Sequence, residues 1–192
     1  RMRFLVAIHP GLMAPTLLAK MAATFQEFSQ GRLLINVVSG DARMLGAYGM
    51  KLPHDERYTM ADEYLSIWHR LMAGESVTYE GRYFSVEGAK LAMPAGVSID
   101  PPPLWFGGSS DAAIDVAAKH TDTYLSWGET PEQIKHKVNA VRERAKHYGR
   151  ELDYGIRLYV IVRETDAEAW DAAERLYGHM DEASIALNQR VL

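Results

Sequence analysis

The chain has 192 residues, 47% of them hydrophobic and 24% charged, with a formal charge of −4 and no cysteine. That length and balance suit one soluble globular domain with a sizeable core. They exclude disulfides, thiol nucleophiles and cysteine-ligated metals within the chain, and without a lysine/arginine block they give no ground for nucleic-acid binding.

The sequence opens on RFLVAI, residues 3–8, a short continuous apolar run of the kind that buried parallel strands show. After a Pro/Gly turn, residues 16–31 place Leu17, Leu18, Met21, Phe25 and Phe28 on one helical face, with Gly31 as the stop. LLINVV, residues 33–38, is the next strand, ending in Ser39-Gly40-Asp41. A long polar, glycine-bearing loop leads to a helix around residues 57–73, whose core face is Tyr64, Leu65, Trp68, Leu71 and Met72. Residues 76–88 read as an inserted β-hairpin turning at Gly81. PLWF, residues 103–106, is a third apolar strand, residues 110–120 a helix, and TYLSW, residues 123–127, a fourth strand.

Thr130, Pro131 and Gln133 then make a helix start with a capping box, running to about Tyr148 with Gly149 as the stop. IRLYVIV, residues 156–162, is the expected fifth strand, and Thr165 with Glu168 repeats the capping-box signal for a last helix. The chain closes inside a helix-like segment, so both ends read as parts of a longer protein. No apolar run approaches the ~18 residues of a membrane-spanning helix, and no signal-peptide pattern is present. The expectation is a cytoplasmic protein with no membrane or nucleic-acid partner.

Alternating strands and helices mean an α/β protein with parallel strands and helical crossovers. A doubly wound sheet and an incomplete (β/α)₈ barrel both fit, and in both the functional groups gather at the C-terminal ends of strands. Those ends carry His9, the stretch 36–41, Gly107 to Ser110, and Trp127 to Glu129. The glycines of GGSS, residues 107–110, permit close approach of a ligand. Ser109 and Ser110 open a helix, where free N–H groups favour an anion. A plain serine N-cap explains the same residues equally well. Arg157 sits in an apolar strand, on the face that alternation shares with Tyr159 and opposes to Ile156. Its planar fork suits a sulfonate, phosphate or carboxylate, or else a structural partner carboxylate. Trp127 either walls a flat ligand or caps the core. In HDERY, residues 54–58, Tyr58 points toward the strand ends, whereas capping and a salt bridge suffice for Asp55, Glu56 and Arg57. No metal-ligand spacing, HExxH or nucleophile elbow occurs.

Taken in order, the stretch 4–41, HDERY, PPPLWFGGSSDAA, YLSWGETPEQIKHKV and YGIRLYVIVRETDAEAWDAAERL resemble the bacterial-luciferase-like flavin monooxygenases. Within that superfamily the chain is most similar to alkanesulfonate monooxygenases, with the sulfoquinovose monooxygenases as a further branch. The resemblance implies a single luciferase-like domain over 1–192, a partial (β/α)₈ TIM barrel supplying about strands three to seven. It implies FMN, used as reduced FMN from an NAD(P)H-dependent flavin reductase, and O2 as co-substrate. The implied reaction cleaves the C–S bond of a small organosulfonate to an aldehyde and sulfite. A related flavin or deazaflavin enzyme acting on a sulfone or a non-sulfur compound is the alternative, as is a non-catalytic flavin-binding barrel.

The resemblance further implies that Gly108, Ser109 and Ser110 hold the FMN phosphate with help from Tyr58, and that Asn36 and Ser39 lie near the flavin. Trp127, Arg157 and His9 line the substrate site, with Arg157 on the sulfonate and Tyr159 beside the chemistry. Relatives commonly carry histidine where this chain has Tyr159, which extends the expected substrates to larger sulfonates, including sulfosugars. A homo-oligomer, dimer or tetramer, is expected.

Overall fold

In the computed structural model, residues 2–40, 42–92 and 99–191 are described. Among the described residues the elements follow one another in the order β1 (Phe4–Ile8), α1 (Pro15–Ser29), β2 (Leu33–Val37), α2 (Ala42–Ala47), α3 (His54–Met72), β3 (Val77–Glu80), β4 (Ser85–Ala89), β5 (Leu104–Phe106), α4 (Asp111–His120), β6 (Thr123–Trp127), α5 (Pro131–His147), β7 (Asp153–Arg157), α6 (Asp166–Tyr177) and α7 (Glu182–Val191). The chain divides into two compact units, residues 1–157 and 158–192. Among the described residues no helix is long and apolar enough to cross a membrane.

The first unit is built on a parallel sheet of order β1-β2-β5-β6-β7. Sheet order follows chain order without the reversal that defines a doubly wound sheet, so the barrel alternative holds. The two sheet faces differ as a barrel wall requires. Ile8, Ile35, Val37, Leu104, Phe106 and Tyr124 are buried on one face, beneath α1, α3 and α4. The opposite face carries Leu5, Asn36, Trp105, Leu125, Trp127 and Arg157, as the registers and strand alternation dictate.

Helix α3 forms the centre of the packing, with Tyr64, Leu65, Ile67 and Trp68 each at 1% exposure or less. Its Glu63 carboxylate accepts the backbone N–H groups of Arg82, Tyr83 and Phe84, and so pins the β3–β4 hairpin to the helix. Both capping boxes form, Thr130 with Gln133 on α5 and Thr165 with Glu168 on α6.

Three expectations are corrected. The buried stripe of α1 is Pro15, Leu18, Ala19, Ala22, Gln26 and Ser29, whereas Leu17, Met21, Phe25 and Phe28 are exposed. Small residues let α1 lie close on its neighbours, and Gln26 is buried because its amide bonds the Asp100 carbonyl and the Leu33 N–H. Part of the loop after β2 is helical, as α2. The fifth strand of the sheet is Asp153–Arg157 rather than 156–162, because pairing with Thr123–Trp127 sets its limits, not the apolar run.

Candidate functional site

Two loops, at the C-terminal ends of β2 and β5, converge on the hydroxyl of Tyr58. An added Cβ at Gly40 would lie 3.6 Å from that oxygen, and one at Gly108 would lie 3.7 Å from it. The Tyr58 ring is buried edge-on against Phe106 at 6.3 Å between centroids. Burial pushes its phenol above the ordinary range, partly offset by the Ser110 hydroxyl and the Arg57 charge. Tyr58 therefore stays a neutral donor at physiological pH.

The glycines have distinct duties. A Cβ on Gly107 would meet the Leu125 carbonyl oxygen at 2.5 Å, so this position keeps β5 against β6. A Cβ on Gly108 would meet the Ala113 Cβ at 2.5 Å, which brings the loop down onto the first turn of α4. The Gly108 carbonyl accepts the Tyr124 hydroxyl at 2.6 Å. That phenol is pushed up to about 12 by burial and by the Glu129 charge.

Ser110 is the N-cap of α4, its oxygen accepting the Ala113 N–H at 3.2 Å. The same hydroxyl is a hydrogen-bond partner of the Tyr58 phenol. Ser109 is exposed and accepts a hydrogen bond from Lys137 Nζ at 2.6 Å, while the same ammonium pairs with Glu129. Ser39 is 4% exposed, and its hydroxyl has no hydrogen-bond partner among the described residues. Asp41, at the end of that loop, lies outside the described residues.

Sequence reasoning underrated Arg57. It is 4% exposed and donates to the carbonyls of Ser39 at 2.9 Å, Leu52 at 3.0 Å and Gly40 at 3.2 Å. It forms no ion pair among the described residues, so capping and a salt bridge do not account for it. It ties the β2 loop to α3, and no pattern around HDERY announces that. Lys137 was missed as well, since one lysine in a helix of mixed charge carries no signal.

Asn36, Trp127 and Arg157 fall on the face opposite the helices. Asn36 stands level with Ala7 and Trp105 in register. The Arg157 guanidinium lies over the Trp127 ring, 4.7 Å from its centroid, and the two residues are paired in register across β6 and β7. Arg157 has no carboxylate partner among the described residues, and Trp127 is half-exposed. Trp105, read in the sequence as one of an apolar run, belongs to the same face. A Cβ on Gly155 would lie 3.5 Å from its ring and 3.2 Å from Leu125, so the glycine makes room for both. His9 closes β1 with Nδ1 2.9 Å from the Val38 carbonyl. Tyr159 does not share the strand with Arg157, because β7 ends at Arg157; it is exposed and belongs to the second unit.

A donor cluster at one set of strand ends and an aromatic–cation pair on the inner face of the same sheet invite comparison with known proteins. A family model described as luciferase-like monooxygenase matches residues 1–191. The chain belongs to the luciferase-like monooxygenase family. Among solved structures it is similar to a long-chain alkane monooxygenase, at 28% identity and a TM-score of 0.79, over 93% of this chain and 47% of that one. It also resembles the EDTA monooxygenase of Chelativorans sp. BNC1, at 22% identity and a TM-score of 0.81, over 96% and 48%. A riboflavin lyase solved with modified FMN and riboflavin matches at 22% and 0.81, over 92% and 45%. The chain thus spans about half the length of each of these structures, and the matches at 22% speak for the fold alone.

Proposed function

We propose that the protein is a reduced-FMN-dependent monooxygenase that cleaves the C–S bond of an organosulfonate. The observation that carries this is the pair of separate anion-suited sites on one sheet, the Ser109–Ser110–Tyr58 cluster and Arg157 over Trp127. The first suits a phosphate monoester. Ser110 and Tyr58 are neutral hydroxyl groups, hydrogen-bonded to each other beside the N-terminus of α4; Ser39 has a buried hydroxyl without a partner among the described residues, and Gly40 and Gly108 leave room at the phenol. The second suits a sulfonate, since a guanidinium offers parallel N–H donors to two of its oxygens.

Reduced FMN, when bound, supplies the two electrons with which O2 is reduced, one oxygen atom ending in the aldehyde and the other in water. The chain's own residues bind and orient. Ser109, Ser110, Tyr58 and Gly108 hold the phosphate end, Asn36 and Ser39 face the flavin, and Arg157 fixes the sulfonate. Trp127, Trp105 and Leu125 supply an apolar wall that keeps water from the substrate carbon. His9 completes the substrate side and Tyr159 stands where relatives carry histidine. A flavin reductase supplies the cofactor, and the enzyme works as a homo-oligomer in the cytoplasm.

The test is sulfite release by the full-length protein with a flavin reductase present, across short alkanesulfonates, sulfoquinovose and dimethyl sulfone. Release from a sulfonate, lost in Arg157→Ala with FMN binding retained, is the expected outcome. Turnover of the uncharged sulfone but no sulfonate would replace this reading with the sulfone alternative.

A further inference from the structure

The phosphate site described above is made of neutral donors, yet a cation stands at its edge. We propose that Lys137 is a further cofactor-binding residue, whose ammonium holds the phosphate monoester of the flavin and selects FMN over riboflavin. The inference rests on the reading of the Ser109–Ser110 loop as a phosphate site.

The capping box that starts α5 sets the position. Gln133, its closing residue, and Lys137 stand one helical turn apart on the same side of the helix. From there Lys137 reaches across to Ser109 Oγ at 2.6 Å and pairs with Glu129. Lysines ordinarily extend into water, but this side chain is only 19% exposed and that of Glu129 26%. An ammonium has three N–H donors. Among the described residues two are accepted, by Ser109 and Glu129, and the third is unspent. Because Ser109 accepts from Lys137, its own proton is left to donate elsewhere. Lys137 therefore does two things: it turns the Ser109 hydroxyl into a donor, and it keeps a charge-assisted bond in reserve. Glu129 holds the ammonium in place and balances its charge until a second anion arrives.

A separate observation points the same way from another loop. Ser39 is 4% exposed with a hydroxyl unpaired among the described residues, and its neighbour Gly40 approaches the Tyr58 phenol. Unspent donors on two loops are what a dianionic group with several acceptor oxygens would use.

Binding titrations of the full-length protein with FMN and with riboflavin, at low and high salt, test the inference. In the Lys137→Met variant FMN affinity should fall roughly tenfold or more, the loss of one charge-assisted bond, while riboflavin affinity changes less than about twofold. The variant should also lose part of the salt dependence of FMN binding. Lys137→Arg should keep most of the preference for FMN, and Lys137→Gln serves where the methionine variant folds poorly. Equal loss of both flavins, or an unchanged ratio between them, overturns the role given to Lys137. If the unaltered protein itself binds FMN no better than riboflavin, the phosphate reading falls and the inference with it. If it prefers FMN and Lys137→Met keeps that preference, only the inference falls.

Discussion

Replacing Arg57 by methionine removes a buried cation and keeps most of the side-chain volume. Three carbonyls lose a charged donor: Ser39 at 2.9 Å, Leu52 at 3.0 Å and Gly40 at 3.2 Å. Hydrogen bonds to charged groups contribute ~1.5–3 kcal/mol each, so the three set an upper bound of roughly 5–9 kcal/mol. Burying the guanidinium costs several kcal/mol in return, and water or loop movement will satisfy part of what is left. The expected net loss is about 2–4 kcal/mol, a breakage value for a buried charged network. Urea unfolding followed by tryptophan fluorescence gives the number. Because Ser39 and Gly40 belong to the proposed flavin site, FMN affinity should fall in the same variant. Arg57→Lys should lie between, since one ammonium cannot reproduce the planar fork that serves carbonyls on two sides. A loss within about 0.5 kcal/mol, with FMN affinity unchanged, would refute the assignment of Arg57 as the tie between α3 and the β2 loop.

Other outcomes follow from the same structure. Gly107→Ala drives a Cβ into the Leu125 carbonyl at 2.5 Å and should destabilise by about 1–3 kcal/mol. Gly46→Ala, with nothing within 4 Å and a helical setting, should be neutral or stabilising by up to ~1 kcal/mol; paired thermal melts compare them. Ser110→Ala should cost ~1 kcal/mol as a lost N-cap, and it should weaken FMN more than riboflavin if the hydroxyl also serves the phosphate. His69 is held down to about 4, chiefly by burial and then by the charge of His120, whose carbonyl accepts its Nε2–H at 2.9 Å. The unfolded chain therefore binds a proton that the folded one refuses between pH 6.5 and about 4. Stability should decline across that window by about 3 kcal/mol, and His69→Gln should flatten the decline in denaturation measured against pH.

Much of the fold was legible because the period of the apolar residues carries it. The strands at 4–8, 33–37, 104–106 and 123–127, the hairpin, and both capping boxes stand within a residue or so of where pattern and cap chemistry put them. The buried face of α3 was legible too, because its large side chains sit at helical spacing. The stripe of α1 was not, because a hydrophobic pattern ranks Phe25 and Phe28 above Ala19 and Ala22, while close packing prefers the small residues. The strand at 153–157 begins in Asp-Tyr-Gly, with no apolar run, and only its partner β6 makes it a strand.

The sequence by itself determined the parallel α/β alternation, the strand-end positions of Gly108, Ser109, Ser110 and Trp127, and the likeness that led to the family. Those are local properties, set by residue spacing, turn glycines and caps. Tertiary structure alone decided that the sheet runs in chain order as a barrel wall does, that Arg157 stacks on Trp127, and that Arg57 and Lys137 reach into the β2 and β5 loops. Each of these joins residues far apart in the chain. The partner of a long cationic side chain is settled by which elements pack together, and nothing in the spacing of its neighbours encodes it.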